Sequence, residues 1–447
     1  YGMPEEADAQ QLLPRYSDSA VSSGEEKVMA QCGDNMYFPR ARSADYVIAV
    51  AIPFEGTDEI SSSVMMGSSE NIYASTDNLY IASTNYENGN NFYMDWDNAK
   101  TLVYRYVLAP SKISYEGRAK VPGTILNQFS MDESKGYFRI ATTTGNMWGD
   151  GLNISKNNVY ILDSSDMDIV GAIKDIAPGE KIYSTRFMGD RGYMVTFKKV
   201  DPLFAFDLSD PRHPKILGKL KIPGYSDYLH PYDENHIIGF GKDAVDGSKE
   251  EMARRSLDFA WYQGMKIALF DVTDPTAPRQ LFSELIGDRG TNSELLYDHK
   301  ALLFDREKNL LAFPVQVAVV EDKENQPANA YGQTVFDGVY VYTLDLEDGF
   351  KLRGKISHYT SEDEDFIKQG SFWYGDQLKK IRRILYIGQN LYTVAEGGIK
   401  ASDINSTEEK ASVVASFTPV KQLAEHLHPC YSGSKRFLVR FHHTDDF

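Results

Sequence analysis

An all-β, seven-bladed β-propeller of four-stranded antiparallel blades is what this 447-residue sequence predicts, on three observations. Aromatic residues are plentiful (28 Tyr, 23 Phe, 4 Trp) and 34 glycines punctuate the chain, a bias toward strands and tight turns over long helices. A β-rich run closed by a turn recurs seven times, at intervals of about 44 to 72 residues. Three further strand-like runs flank most copies, so the repeating unit is a meander, A-B-C-D, whose apolar faces only neighbouring units can cover.

Residues 1–29 are polar with a short apolar break at Leu12–Leu13, and read as a linker or arm. The C strands then follow in order: YVIAVAIPFEG from Tyr46, TLVYRYVLAPS from Thr101, NVYILDSSD from Asn158, PLFAFDLSDP from Pro202, KIALFDVTDP from Lys266, GVYVYTLDLEDG from Gly338 and GIKASDINST from Gly398. Short D strands follow most of them, as in KILGKLKIPG (215–224). A–B hairpins precede them, as in KIYSTRFMGDRGYMVTF (181–197) and SDYLHPYDENHIIGFG (226–241). The first unit lacks an A strand. HLHPCYSGSKRFLVRF (426–441) echoes YLHPYDENHIIGFG (228–241), so the chain's last strands are expected to complete the first blade and close the ring. One propeller over 30–447 is therefore expected in place of the two or three domains that length alone suggests. Closure would bring Cys32 and Cys430 into one blade, as a long-range disulfide or as two separate thiols.

Charge narrows the partners. Lys and Arg number 47 against 64 Asp and Glu, a net −17, which argues against nucleic acid and against an anionic membrane surface. The longest apolar runs, such as YVIAVAIPF (46–54) and LLAFPVQVAVV (310–320), fall short of the roughly 20 residues that span a bilayer, so no transmembrane helix is expected. The sequence opens on Tyr1 without a basic-then-apolar leader, as in a processed or trimmed chain.

Several long motifs carry a family resemblance. The run GEKIYSTRFMGDRGYMVTFKKVDPLFAFDLSDPRHPKILGKLKIPGYSDYLHPYDENHIIGFGKD (179–243), with NQFSMDESKGYFRIATTTG (127–145), DHKALLFDREKNLLAFPV (298–315) and RRILYIGQNLYTVAEGGIKASD (382–403), resembles predicted secreted bacterial and archaeal proteins. These carry a C-terminal β-propeller distantly related to WD repeats. The resemblance implies a propeller fold and an extracellular or cell-envelope location, and it supplies no reaction and no catalytic residues.

Topology sorts the long loops without the family. If A strands start on one rim, the B–C and D–A connections lie there and the A–B and C–D turns lie opposite. The long segments 84–100, 144–157, 242–264 and 321–337 are B–C connections and 360–380 is a D–A connection, so one face receives them all. It also receives Trp96, Trp148, Trp261 and Trp373, with Tyr93, Tyr262 and Tyr374 beside them. Rigid amphipathic rings are enriched in recognition surfaces, so this face is the expected binding surface for a peptide, protein or glycan. The competing reading makes the same rings small satellite cores that anchor the loops. A hydrolase or lyase is the alternative function, with Tyr183, Tyr228, Arg382 and Arg383 at the channel mouth near the starts of A strands.

Other signals are weaker. No cofactor is expected. Ca²⁺ is the one ion worth testing, because Asp95, Asp97, Asp150 and Glu362–Asp365 fall in the same loops, although no EF-hand spacing is present. The Asp-x-Ser/Thr-Asp-Pro turns at 207–211 and 271–275 read as side chains holding tight turns. His230, His299 and His428 are placed on A strands, with Arg186 matching His230 one blade earlier; they could line the channel or satisfy backbone groups. The segment 248–262 has an S-x-x-E box and an incomplete apolar stripe, which predicts the one helix, a lid over a blade. G-x-S-x-G, H-E-x-x-H, P-loop and C-x-x-C motifs are all missing from the sequence, so a non-enzymatic, monomeric binding module is expected.

Overall fold

A computed structural model of the chain describes residues 13–17, 26–29, 36–37, 46–52, 60–67, 71–86, 98–110, 112–147, 151–198, 201–247, 260–360, 363 and 377–414. They fall into two compact units.

The first unit comprises 1–68, 110–113 and 416–447. Within the segment read as a polar arm, β1 (Arg15–Ser17) pairs antiparallel with β2 (Glu26–Val28). The strands β3 (Met36–Tyr37), β4 (Tyr46–Ala51) and β5 (Ser61–Met66) form a three-stranded sheet in the order β3-β5-β4, with β3 parallel to β5. The YVIAVA strand is thus an edge strand here. The expected closing strands at 426–441, together with Cys32 and Cys430, lie outside the described residues.

The second unit comprises 69–109 and 114–415 and holds six four-stranded sheets, each a simple meander. Sheet I is β6 (Asn71–Ala74), β7 (Asn78–Tyr86), β8 (Ala99–Ala109) and β9 (Lys112–Pro122). Sheet II is β10 (Met131–Ser134), β11 (Tyr137–Thr144), β12 (Lys156–Asp163) and β13 (Ile169–Ile176). Sheet III is β14 (Lys181–Met188), β15 (Arg191–Phe197), β16 (Asp201–Asp207) and β17 (Lys215–Ile222). Sheet IV is β18 (Tyr225–Asp233), β19 (His236–Asp246), β20 (Ala260–Asp271) and β21 (Arg279–Ile286). Sheet V is β22 (Leu303–Asp305), β23 (Leu310–Val319), β24 (Gln333–Asp345) and β25 (Gly349–Ile356). Sheet VI is β26 (Ile381–Ile387), β27 (Asn390–Ala395), β28 (Gly398–Asp403) and β29 (Glu409–Val414). Six of the seven anticipated C strands are third strands of such sheets.

The cores lie between successive sheets. Tyr80 of sheet I stacks on Phe138 of sheet II with ring centres 4.2 Å apart. The largest cluster joins Phe240, Ile267 and Leu269 of sheet IV to Leu311, Phe313 and Val315 of sheet V. Middle strands such as β20 are buried without a break from Met265 to Asp271, because both of their faces meet a neighbouring sheet. Sequential docking is closest at the fourth strands. A Cβ on Gly171 would come within 2.1 Å of the Pro211 carbonyl oxygen, and one on Gly218 within 2.4 Å of that of Thr276. Each glycine therefore lies under the C–D turn of the sheet that follows.

Those turns are held as their composition implied. Asp207 Oδ1 accepts from Ser209 N (3.0 Å) and Oγ (2.6 Å), and Asp274 Oδ1 accepts from Thr276 N (3.0 Å) and Oγ1 (2.6 Å). Just past them, the pairing of third and fourth strands slips by one residue at the same place in sheets II to VI, as at Ile161/Leu162 and Ala205/Phe206.

Two local expectations are corrected. Ala260, Trp261 and Tyr262 are strand rather than helix: they pair with Asp246, Val245 and Ala244, and this ladder outweighs an incomplete apolar stripe. Residues 248–259 lie outside the described residues. His299 stands in a 3₁₀ turn (His299–Ala301) before the short β22, because the Asp298 side chain caps the turn by accepting from Lys300 N at 3.0 Å.

Candidate functional site

Three first strands carry an extra residue near their starts. The β14–β15 register skips Tyr183, the β18–β19 register skips Asp227, and the β26–β27 register skips Arg382. A bulge leaves its residue out of the ladder and re-aims its side chain, so three sheets present a tyrosine, a carboxylate and a guanidinium at equivalent places.

Each has a different surrounding. Tyr183 Oη lies 2.9 Å from Tyr262 Oη, and Lys181 Nζ sits 5.1 Å from the Tyr183 ring centre. Arg382 donates to Glu294 Oε2 at 2.9 Å, and its neighbour Arg383 donates to Asp298 Oδ2 at 2.6 Å. Asp227 is half-buried and makes no hydrogen bond or ion pair among the described residues. Burial pushes its carboxyl up to about 7, against the pull of Lys242 and Lys181. Lys242 donates to the Thr291 carbonyl at 3.1 Å, and burial lowers its ammonium below the usual range.

An aromatic platform adjoins this rim. Tyr225 lies 4.6 Å from Tyr183, 4.8 Å from Phe197 and 5.0 Å from Tyr262, ring centre to ring centre. The Arg289 guanidinium is clasped between Trp261 (4.9 Å) and Tyr331 (4.4 Å). It donates to the Tyr262 carbonyl (2.9 Å) and to Tyr331 Oη (3.1 Å), and has no carboxylate partner among the described residues. Tyr331 is 72% exposed and Tyr297 is 75% exposed. A stacked, charged guanidinium flanked by accessible rings can take up a flat or anionic group.

Deeper, the first strands converge. A 3₁₀ turn, Gln128–Ser130, ahead of sheet II is capped by Asn127 and packs on β6, β11 and β14. Its Phe129 ring touches Tyr228 of sheet IV (5.1 Å) and His299 ahead of sheet V (4.8 Å). Arg186 of sheet III lies over the same ring at 5.2 Å. Tyr228 Oη and His230 Nδ1 are 3.0 Å apart, and Gln128 Nε2 and His299 Nε2 are 3.4 Å apart. Burial, then the Arg186 charge and His299, hold the His230 imidazole down to about 4. Burial lowers His299 too, although Asp298 opposes it.

Of the residues singled out in the sequence, Tyr183, Tyr262 and Trp261 share the platform. Arg382 and Arg383 are engaged in ion pairs, and Tyr228 is buried below the rim. Trp96, Trp148, Trp373, Tyr93 and Tyr374 lie outside the described residues, as do Asp95, Asp97, Asp150, Glu362 and Glu364–Asp365 of the acidic loops and His428. Asp363 is bound by Lys379 at 2.7 Å. Among the described residues no three His, Cys, Asp or Glu side chains gather to hold a metal, and no helix is long and apolar enough to cross a membrane. Sequence reading missed Asp227, Arg289 and the unpaired state of Arg186. It also missed Asp337, a buried carboxyl pushed up to about 6 by burial, with Oδ2 unbonded.

Comparison with known proteins finds relatives, structural neighbours and a family. The chain is 38% identical over 239 residues to an uncharacterized protein of Methanocaldococcus jannaschii, covering 51% of this chain and 35% of that one. It is 36% identical over 234 residues to an uncharacterized protein of Archaeoglobus fulgidus, covering 50% and 33%. Each match thus spans about a third of the relative's length. Among solved structures, apo AztD from Citrobacter koseri matches with a TM-score of 0.42 at 12% identity, over 83% of this chain and 80% of that one. The C-terminal WD40 domain of Sif2 matches with a TM-score of 0.34 at 8% identity, over 76% and 69%. A model of the beta propeller domain family matches residues 2–407, and the chain belongs to that family.

Proposed function

We propose that this propeller is a binding or scaffold module that acts outside the cytoplasm and takes up a protein, peptide or glycan on the rim carrying Trp261, Tyr262, Tyr183 and Tyr331. One observation carries the reading: Arg289 is held between two aromatic rings, without a carboxylate partner, beside a tyrosine that is 72% exposed. Rings and guanidinium together offer area, stacking and charge at low entropic cost, as recognition hot spots do. The tryptophans and tyrosines of the neighbouring loops, Trp96, Trp148, Trp373, Tyr93 and Tyr374, would extend this surface. The extracytoplasmic placement rests on the resemblance to exported propeller proteins, and the module is taken as a monomer.

The test is a screen of peptide and glycan arrays followed by titration of the best binder against Trp261→Ala and Tyr331→Ala. At least a tenfold loss of affinity is expected for either variant, since a hot-spot ring is worth about 2 kcal/mol or more. Unchanged affinity in both variants would remove the rim from the binding surface. The Asp227 carboxyl, pushed up to about 7 beside Lys242, favours a second reading, a hydrolase or lyase with an acid at the channel mouth. Turnover of a bound candidate that disappears in Asp227→Asn while binding persists would establish that reading.

A further inference from the structure

Arg186 stands apart from the other arginines on the inner strands. Arg382 and Arg383 each grip a carboxylate, through Glu294 and Asp298 respectively. Arg186 grips none: it makes no hydrogen bond and no ion pair among the described residues. It is half-buried, with its guanidinium over the Phe129 ring, 5.2 Å from the ring centre. Its nitrogens are not among the sealed, unbonded atoms of the interior, so they remain reachable.

What surrounds it is neutral or positive. Burial keeps His230 and His299 in their uncharged forms around neutral pH, and the charge of Arg186 reinforces this. Tyr228 is committed to His230, and the Gln128 amide faces His299. The acid next to His299, Asp298, is taken by Arg383 and by the cap of its own turn. A half-desolvated guanidinium with five free N–H donors is costly without an acceptor. It is also uncompensated in a chain whose net charge is −17, where a local positive field collects anions.

We propose that Arg186, with Gln128 and His299 beside it, forms a binding site for a carboxylate group at the centre where the first strands converge. The guanidinium fork supplies two parallel N–H donors to the two coplanar oxygens of a carboxylate, a match that a lysine cannot reproduce. The Phe129 ring supports the guanidinium from one side, and the Gln128 amide and a neutral imidazole offer further donors. This site lies below the aromatic rim and does not depend on what the rim binds. The carboxylate comes either from a free small acid or from a peptide.

The experiment titrates wild-type protein with sodium acetate, with chloride at equal ionic strength, and with a short peptide ending in glutamate, by isothermal calorimetry. Saturable binding of acetate or of the peptide, but not of chloride, is expected. Peptide affinity at least tenfold above acetate assigns the carboxylate to a chain, and equal affinities assign it to a free acid. Arg186→Gln should lose at least tenfold, and Arg186→Lys should keep the charge yet bind several-fold more weakly. Arg212→Gln, at an exposed turn, should change nothing. Phenylglyoxal labelling of the wild type, mapped by mass spectrometry, needs no variant: acetate or the peptide should protect Arg186 and leave Arg212 labelled. No saturable binding, equal binding in Arg186→Gln, or labelling of Arg186 that neither carboxylate slows would overturn the proposal.

Discussion

Replacing Asp227 with asparagine should make the protein more stable at neutral pH, and the gain should vanish in acid. The carboxyl titrates at about 7 in the fold, against an ordinary 3.8, because burial disfavours its charge. Between those values the native state holds a proton that the unfolded chain has released. The unfolded state then binds fewer protons, so stability falls as pH rises through this window and is level above it. At about 1.4 kcal/mol per pH unit, the gap corresponds to a ceiling of about 4 kcal/mol. The carboxylate is in part reached by water, and Lys181 and Lys242 can turn toward it once it is charged, so about 2 kcal/mol is the expected size. Urea unfolding of both proteins at intervals from about pH 4 to pH 8 measures it as a difference, in which the other titrating groups cancel. The asparagine variant should match wild type at the acid end and exceed it by about 2 kcal/mol at the alkaline end. A wild type that is the more stable protein near pH 8 would show that Lys242 engages the carboxylate, and would refute the reasoning.

Two further outcomes follow from the packing and the turns. Gly218→Ala should destabilise by about 3 kcal/mol in thermal or urea unfolding, because its Cβ would meet the Pro275 and Thr276 carbonyl oxygens at 2.6 and 2.4 Å and backbone cannot swing aside. Asp271 titrates down at about 2: burial raises it, but Thr273 and Arg279 outweigh that by hydrogen bonding to the charged form. Its contribution is therefore complete above the ordinary 3.8 and lost as pH falls toward 2. Asp271→Asn should cost about 2 kcal/mol at neutral pH and close to nothing near pH 2, as read from urea midpoints at the two pH values.

The third strands were legible in the sequence because two signals coincide there: a continuous apolar run and an Asp-x-Ser/Thr-Asp-Pro turn at its end. PLFAFDLSDP and KIALFDVTDP each became a buried third strand and an aspartate-held turn. The bulges were not legible, since one extra residue in a first strand leaves composition and alternation almost unchanged. Asp227 therefore looked like any polar position of SDYLHPY, although its homologous neighbours Tyr183 and Arg382 were singled out. Clusters built over long separations were hidden for another reason. Arg289 meets Trp261 and Tyr331, and Arg186 meets Phe129, across distances in sequence that no local pattern encodes. The segment ending in Ala260–Tyr262 carried a capping box and a weak apolar stripe, yet its last residues extend a strand because β19 offers them a ladder. His299 reads as part of a first strand in the sequence, whereas the Asp298 side chain turns the chain there.

The glycine under each following turn gives the stacking of sheets a direction. Sheet II receives a turn of sheet III at Gly171, and sheet III receives a turn of sheet IV at Gly218. Every such unit is a socket toward its successor and a plug toward its predecessor. Removing sheets from the carboxyl end leaves an open socket, a bare strip of backbone with no side chain to shield it. Removing them from the amino end leaves no such socket but frees a hydrophilic turn, while either cut also bares the apolar face of a sheet. Fragments cut from the two ends of this chain should therefore differ in solubility and in their tendency to self-associate, even when they contain the same number of strands. The surface turns, though polar and exposed, would be poor places to insert sequence, because their backbone is the part that the preceding sheet grips.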